Sequence, residues 1–97
     1  INIQYVKMLT SDSMTEIVTK KLNKLANKYD WIINANVFFK LENDNAGIGS
    51  ICEIELSIPG PKIFASSKEK NFELAAKNTV SDLEKQLSKR KATLIQH

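Results

Sequence analysis

The stretch Asn71–Lys91 runs without a glycine or a proline. Within it Phe72, Ala75, Ala76, Val80, Leu83 and Leu87 recur at steps of one, three or four residues. Those steps put them on one face of a 3.6-residue period, so the spacing predicts a single long amphipathic helix. Ala, Leu, Glu, Lys and Gln dominate it, and all are good helix formers. Such a helix must lay its apolar face on another layer. Its other face carries Lys77, Lys85, Lys89, Arg90 and Lys91, with four cations in the last seven residues. A cation in a last turn favours the negative end of the helix dipole by a few tenths to about 1 kcal/mol. Four of them exceed what a dipole needs.

The preceding chain supplies the other layer. Ile1–Val6 alternates, with Ile1, Ile3 and Tyr5 on one side and Asn2 and Gln4 on the other, the pattern of a half-buried strand. Thr10–Ser13 offers helix caps: Ser11 followed by Asp12 fits, and Ser13 with Glu16 fits a capping box as well. A first helix is predicted over Asp12–Tyr29, with Met14, Val18, Leu22, Leu25 and Tyr29 as its apolar stripe and Ile17 beside it. Lys20, Lys24 and Lys28 follow at steps of four on an exposed face, flanked by Lys21. A solvated face is the plain explanation of such a row.

Trp31–Glu42 reads as a second strand, with Ile33, Ala35, Val37, Phe39 and Leu41 inward and Asn34, Asn36, Phe38 and Lys40 outward. Phe38 is the apolar exception on the polar side, where a cross-strand neighbour can cover it. Asn43–Gly49 is rich in turn formers and is expected to be a hairpin loop. Ile51–Ile58 is a third strand, with Cys52, Ile54, Leu56 and Ile58 inward and Glu53, Glu55 and Ser57 outward. Pro59-Gly60-Pro61-Lys62 marks a tight turn, Ile63–Ser66 a short fourth strand, and Ser67–Lys70 the approach to the long helix. The tail Ala92–His97 is expected to fray.

The order is β-α-β-β-β-α. The first strand, helix and second strand make a βαβ unit, so those strands should be parallel with a right-handed crossover. The other strands should pair as antiparallel hairpins. Each strand has one polar face, so one side of the sheet is wet and both helices lie on the other. The expected fold is a two-layer α+β sandwich: a four-stranded mixed sheet with two helices side by side on one face, in a single domain over residues 1–97.

Composition narrows the function classes. A chain of 97 residues holds one modest core. A net charge of +3 is compatible with a nucleic-acid partner and equally with a bland basic protein. One cysteine excludes an intramolecular disulfide and favours a reducing compartment. No apolar run reaches membrane-spanning length, and Lys7, Asp12 and Glu16 break any secretory segment. A cytoplasmic protein is expected, with an initiator methionine preceding Ile1.

Catalytic chemistry finds little to stand on. The only histidine, His97, is the last residue. Cys52 sits at an inward strand position, where a thiol is inert. No Cys/His cluster has metal spacing. Glu53 and Glu55 share a strand face, as ordinary surface carboxylates do. Gly47 and Gly49 lack the setting of a phosphate loop. Neither catalysis, cofactor nor metal is expected. What remains is charge geometry. Two parallel helices that turn lysine rows outward could form one positive surface, and A-form RNA is bound through shape, phosphates and 2′-hydroxyls. The chain lacks the aromatic pattern that stacks single-stranded bases on a sheet. A general double-stranded-RNA module needs the same surface, and a protein-interaction domain would use the sheet face around Phe38.

The whole chain resembles the ribosome hibernation promoting factor and ribosome-associated inhibitor A family. Leu83-Glu84-Lys85-Gln86-Leu87-Ser88-Lys89 is similar to the family's L-E-(R/K)-Q-L-x-K in its second helix. Ala65-Ser66 resembles its A-S strand ending, and Lys21-Leu22-Asn23-Lys24-Leu25 its basic first-helix segment. Ser11 stands at the family's helix-starting Thr. The resemblance implies a fold similar to double-stranded-RNA-binding domains. It implies docking in the small ribosomal subunit over the tRNA and mRNA sites, blocking translation and protecting idle ribosomes in stationary phase and stress. By the motif, Lys21, Lys24, Lys85 and Lys89 match basic, rRNA-binding positions, and Arg90 and Lys91 continue the basic helix end. Lys20, Lys28 and Lys77 join them from periodicity alone. Asp82 and Glu73 depart from the family, standing where a lysine and an aromatic are usual. The chain stops soon after the second helix, as the short forms do. The partners implied are the small subunit and its rRNA and the 70S ribosome; short members either assist ribosome dimers with a separate modulation factor or oppose them through an acidic tail, and Ala92–His97, which has no acids, favours the former without deciding it. No membrane is implied, and the free protein is expected to be a monomer.

Overall fold

The computed structural model of the protein describes residues 1–44 and 47–95. The elements follow the expected order: β1 (Asn2–Val6), α1 (Asp12–Lys28), β2 (Asn34–Asp44), β3 (Gly47–Ser57), β4 (Ile63–Glu69) and α2 (Phe72–Ile95). The strands lie in the order β1-β2-β3-β4. β1 runs parallel to β2 with Ile3 opposite Val37, while β2–β3 and β3–β4 are antiparallel. The α+β sandwich read from the sequence is the fold observed.

Alternation along the strands and the helical period meet in one core. Val37, Phe39, Cys52, Ile54 and Leu56 from the sheet and Val18, Ala75, Ala76, Leu83 and Leu87 from the helices are all fully buried. Phe39 sits at one end of it, stacked on Tyr5 and edge-on to Phe72. Thr79 lies at the centre of the α2 stripe and is buried too, a position that residue type hid from the apolar pattern. Its hydroxyl is 2.8 Å from the Ala75 carbonyl and 3.1 Å from the Cys52 carbonyl. Its proton therefore goes to an acceptor without water, and α2 is tied to β3.

Both helix starts are capped by side chains. Ser11 Oγ accepts from the Met14 N–H at 3.3 Å, and the Tyr5 hydroxyl donates to the Ser11 carbonyl at 2.8 Å, pinning β1 to the first turn. The Ser13–Glu16 alternative is not the cap, because α1 already begins at Asp12 and Ser13 lies inside its first turn. Asn71 is the cap of α2 rather than its first residue, its side-chain oxygen accepting from Leu74 N–H at 2.8 Å.

Several boundaries differ from expectation. β2 begins at Asn34, so Trp31–Ile33 is not strand, and Ile33 is 70% exposed rather than inward. Leu41 keeps the inward side of the strand but is 53% exposed, because α2 begins at the level of Phe39 and the hairpin runs on past the helical layer. Ile1 precedes β1 and is half exposed. The loop expected over Asn43–Gly49 shrinks: β2 and β3 pair as far as Asp44 opposite Gly47, and Asn45 and Ala46 lie outside the described residues. Ladder pairing overrides the turn propensity of these residues. Gly49 leaves room for the side chain of Lys68 to pass over β3, and a Cβ there would make that side chain shift. β4 extends to Glu69, pairing Ser67, Lys68 and Glu69 with β3 where a connection was expected. α2 continues through Ala92–Ile95 instead of fraying at Lys91, and Gln96 and His97 lie outside the described residues.

Candidate nucleic-acid interface

The two helices run parallel on one sheet face. Lys21 and Lys24 of α1 lie beside Val80 of α2, Lys28 faces Glu84, and Lys91 lies over the ring of Tyr29 just past the end of α1. Between them is an open cleft of about 390 Å³. Lys21, Lys24 and Lys28 form one wall, Val80 and Glu84 the other, and Leu25 helps to floor it. Lys77, Val80, Glu84 and Lys91 are separated by three, four and seven residues, so they share the α2 stripe turned toward α1. Lys91 extends the cleft over Tyr29, while Lys77, one turn before Val80, borders a separate depression with Lys70, Asn71, Glu73 and Leu74.

Ionic pairing in this region is sparse. Among the described residues Lys21, Lys24, Lys77 and Lys91 have no carboxylate within ion-pair distance. Lys28 approaches Glu84 at 3.6 Å with both side chains about half exposed. Such a pair is worth at most about 1 kcal/mol. Lys28 and Lys91 also sit 5.6 and 5.9 Å from the centre of the Tyr29 ring. The ring's negative face attracts each ammonium group.

The remaining basic candidates fall elsewhere. Lys20 is exposed and paired with Glu16 at 3.3 Å, one turn before it. Lys85 and Lys89 share the next stripe of α2, exposed and rotated away from α1. Asp82 lies on that stripe as well, one turn before Lys85, and lowers its positive potential. Arg90 leaves the lysine surface: its guanidinium donates to the carbonyls of Pro59 at 3.3 Å and Pro61 at 3.4 Å. Gly60 between them has φ +90°, and Arg90 holds this turn against α2. Together with Gln86, which donates to the Phe64 carbonyl at 2.9 Å, it covers the β4 edge. Sequence reading missed Glu84 as a groove residue. The step from Lys77 through Val80 to Glu84 was the available signal.

The outer face of the sheet is different. Lys40 pairs with Glu53 at 2.8 Å, Lys62 with Glu55 at 3.4 Å and Lys68 with Glu42 at 3.6 Å. Phe38 is half-buried here, opposite Gln4 and Glu53, and Phe64 is exposed. Burial pushes the Cys52 thiol up to about 11, against a smaller opposing effect of its hydrogen bond to Thr79. Among the described residues no three His, Cys, Asp or Glu side chains group to hold a metal, and no helix is long and apolar enough to cross a membrane.

The fold recurs in solved structures. One is a ribosomal subunit interface protein from Coxiella burnetii, 26% identical, with a TM-score of 0.81 over 95% of this chain and 99% of that one. Another is the N-terminal domain of Protein Y from Thermus thermophilus, 22% identical, with a TM-score of 0.77 over 92% and 98%. Among curated proteins none matches. The sequence pattern of one family matches residues 1–95. The chain therefore belongs to the Sigma 54 modulation protein / S30EA ribosomal protein family.

Proposed function

We infer that the protein is a non-enzymatic, cytoplasmic translation inhibitor. It docks on the small ribosomal subunit through rRNA and covers the tRNA and mRNA sites of idle ribosomes. The observation that carries this reading is the lysine lining of the interhelical groove, in which Lys21 and Lys24 have no carboxylate partner among the described residues and Lys28 has only an exposed one. Lysines at successive turns of α1 stand about 5.4 Å apart along the axis, a spacing that suits a sugar–phosphate strand laid along the helix. Lys21, Lys24 and Lys28 take phosphates along the groove, and Lys77 and Lys91 along the α2 stripe turned toward α1. Lys85 and Lys89 take phosphates of a neighbouring strand, Lys20 adds a flanking charge, and Arg90 holds the scaffold. Family membership and the ribosomal subunit interface protein of the same fold support the choice of the ribosome over free RNA. The free protein is read as a monomer, and its bound form as compatible with ribosome dimers built with a separate modulation factor.

Co-sedimentation with small subunits at 50 and 200 mM salt tests this. Neutralising about six phosphates predicts an affinity loss of roughly 10³-fold between the two conditions. Absence from the ribosomal fraction at the lower salt rejects the reading. Equal affinity for any duplex of about 16 base pairs reassigns the protein to general double-stranded-RNA binding.

A further inference from the structure

A carboxylate stands in the middle of the lysine groove. Glu84 forms part of the wall opposite Lys21, Lys24 and Lys28. At 3.6 Å its contact with Lys28 is longer than a charge-assisted hydrogen bond, and among the described residues no backbone or side-chain group donates to it at hydrogen-bond distance. Its oxygens keep most of their acceptor capacity. An anion in a phosphate-binding groove repels the ligand unless the ligand brings a donor to it. Along an RNA strand one backbone donor recurs between successive phosphates, the ribose 2′-hydroxyl. The apolar surface of Leu25 and Val80 beside Glu84 suits the carbon face of a ribose.

Resting on the RNA-binding reading above, we propose that Glu84 is a specificity residue. Its carboxylate accepts a hydrogen bond from a ribose 2′-hydroxyl while lysines on the facing wall hold the flanking phosphates. The groove then selects RNA over any strand lacking that hydroxyl. Lys28 orients the carboxylate when the groove is empty and turns to phosphate when it is filled.

The test uses the full chain and three 16-base-pair duplexes of one sequence: RNA, DNA, and RNA with every 2′-hydroxyl replaced by fluorine. The fluorinated duplex keeps the A-form and cannot donate. The wild-type protein should prefer RNA to the fluorinated duplex by about tenfold, the worth of one hydrogen bond to a charged group. Glu84→Ala should erase that preference, and Glu84→Gln, which keeps an acceptor oxygen, should retain most of it. A wild-type protein indifferent to the fluorine, or an alanine variant that binds both duplexes more tightly in the same ratio, makes Glu84 a mere repulsion and overturns the proposal. Free duplexes are expected to bind more weakly than small subunits, so the ratios are read at 50 mM salt, where phosphate contacts are strongest; a wild type that binds none of the three there overturns the proposal. Sedimentation with small subunits, run in parallel, reports separately whether the ribosome-binding reading survives.

Discussion

On the outer face of the sheet, Lys40 stands against Glu53 of the adjacent strand, Lys62 of the β3–β4 turn against Glu55, and Lys68 of β4 reaches across β3 to Glu42. Between the helices, Lys21 and Lys24 in the groove lining, and Lys77 and Lys91 along the α2 stripe turned toward α1, stand against none among the described residues. The two regions hold similar numbers of lysines and differ in how secondary structure lets them pair. In the sheet, Glu53 is opposite Phe38 and Lys40 is opposite Ile51, so acid and base meet on the diagonal between strands. On α1 the neighbours at three and four residues are themselves lysines: Lys20, Lys21, Lys24 and Lys28. Like charges at those spacings cost the helix a few tenths of a kcal/mol each. A surface that retains such repulsion is poised for an anionic partner, whereas the ladder on the sheet has already met its counter-charges.

The comparison breaks most directly by reversing charge on each side in turn. Lys21→Glu with Lys24→Glu is expected to weaken small-subunit binding by about 10³-fold, since two attractive contacts become repulsive. Lys40→Glu with Lys62→Glu changes net charge by the same amount and should leave binding within about threefold. Equilibrium sedimentation of both variants at 50 mM salt measures the contrast. Equal losses in the two pairs would mean that overall charge, rather than the groove, governs association.

Below this comes the scaffold that both regions share. Leu83 is fully buried under α2, one residue before Glu84. Leu83→Ala should lower unfolding stability by about 3 kcal/mol while the salt dependence of binding stays unchanged at a temperature where the variant is folded. Urea denaturation with sedimentation separates the two effects. A change in salt slope would mean that the groove depends on core packing more finely than rigid helices imply.

A second scaffold test uses Cys52. Burial raises its thiol from an ordinary 9.0 to about 11, so the unfolded chain releases this proton at lower pH than the folded one. Stability is therefore unaffected below about pH 9 and falls between about 9 and 11, by up to about 1.4 kcal/mol per pH unit. Cys52→Val should flatten that alkaline limb in denaturant titrations across this range.

The layout of the scaffold was legible because two periods are robust. Alternation placed Val37, Phe39, Cys52, Ile54 and Leu56 inward, and the helical steps placed Val18, Ala75, Ala76, Leu83 and Leu87 against them. Edges were less legible. Asn43 and Gly49 are turn formers by type, yet each belongs to a long hairpin ladder whose pairing energy is not local. Ile33 and Leu41 fit the alternation, but Ile33 precedes the first paired residue of β2 and Leu41 lies past the start of α2, and no strand pattern reports where the ladder or the second layer ends. The lysine rows were visible as rows. That Arg90 would turn to the Pro59 and Pro61 carbonyls depends on a β3–β4 turn brought alongside α2 only by tertiary folding. Pairing on the sheet could be guessed only after the register was known.

The smallest expected effect lies in the strongest pair of the sheet ladder. Lys40 and Glu53 meet at 2.8 Å, with side chains 39% and 25% exposed. Solvent screens that attraction, and fixing two side chains costs rotamer entropy, so a double-mutant cycle with Lys40→Ala and Glu53→Ala should give a coupling below about 1 kcal/mol. The coupling should shrink further in 0.5 M salt, where exposed charges are screened within a few ångströms. Small-subunit binding should not follow it, because a pair that neutralises itself presents no net charge to a phosphate strand. Were Glu53→Ala alone to raise ribosome affinity, Lys40 would be a latent phosphate ligand held in check by its partner. The sheet face would then differ from the groove only by the carboxylates laid across it.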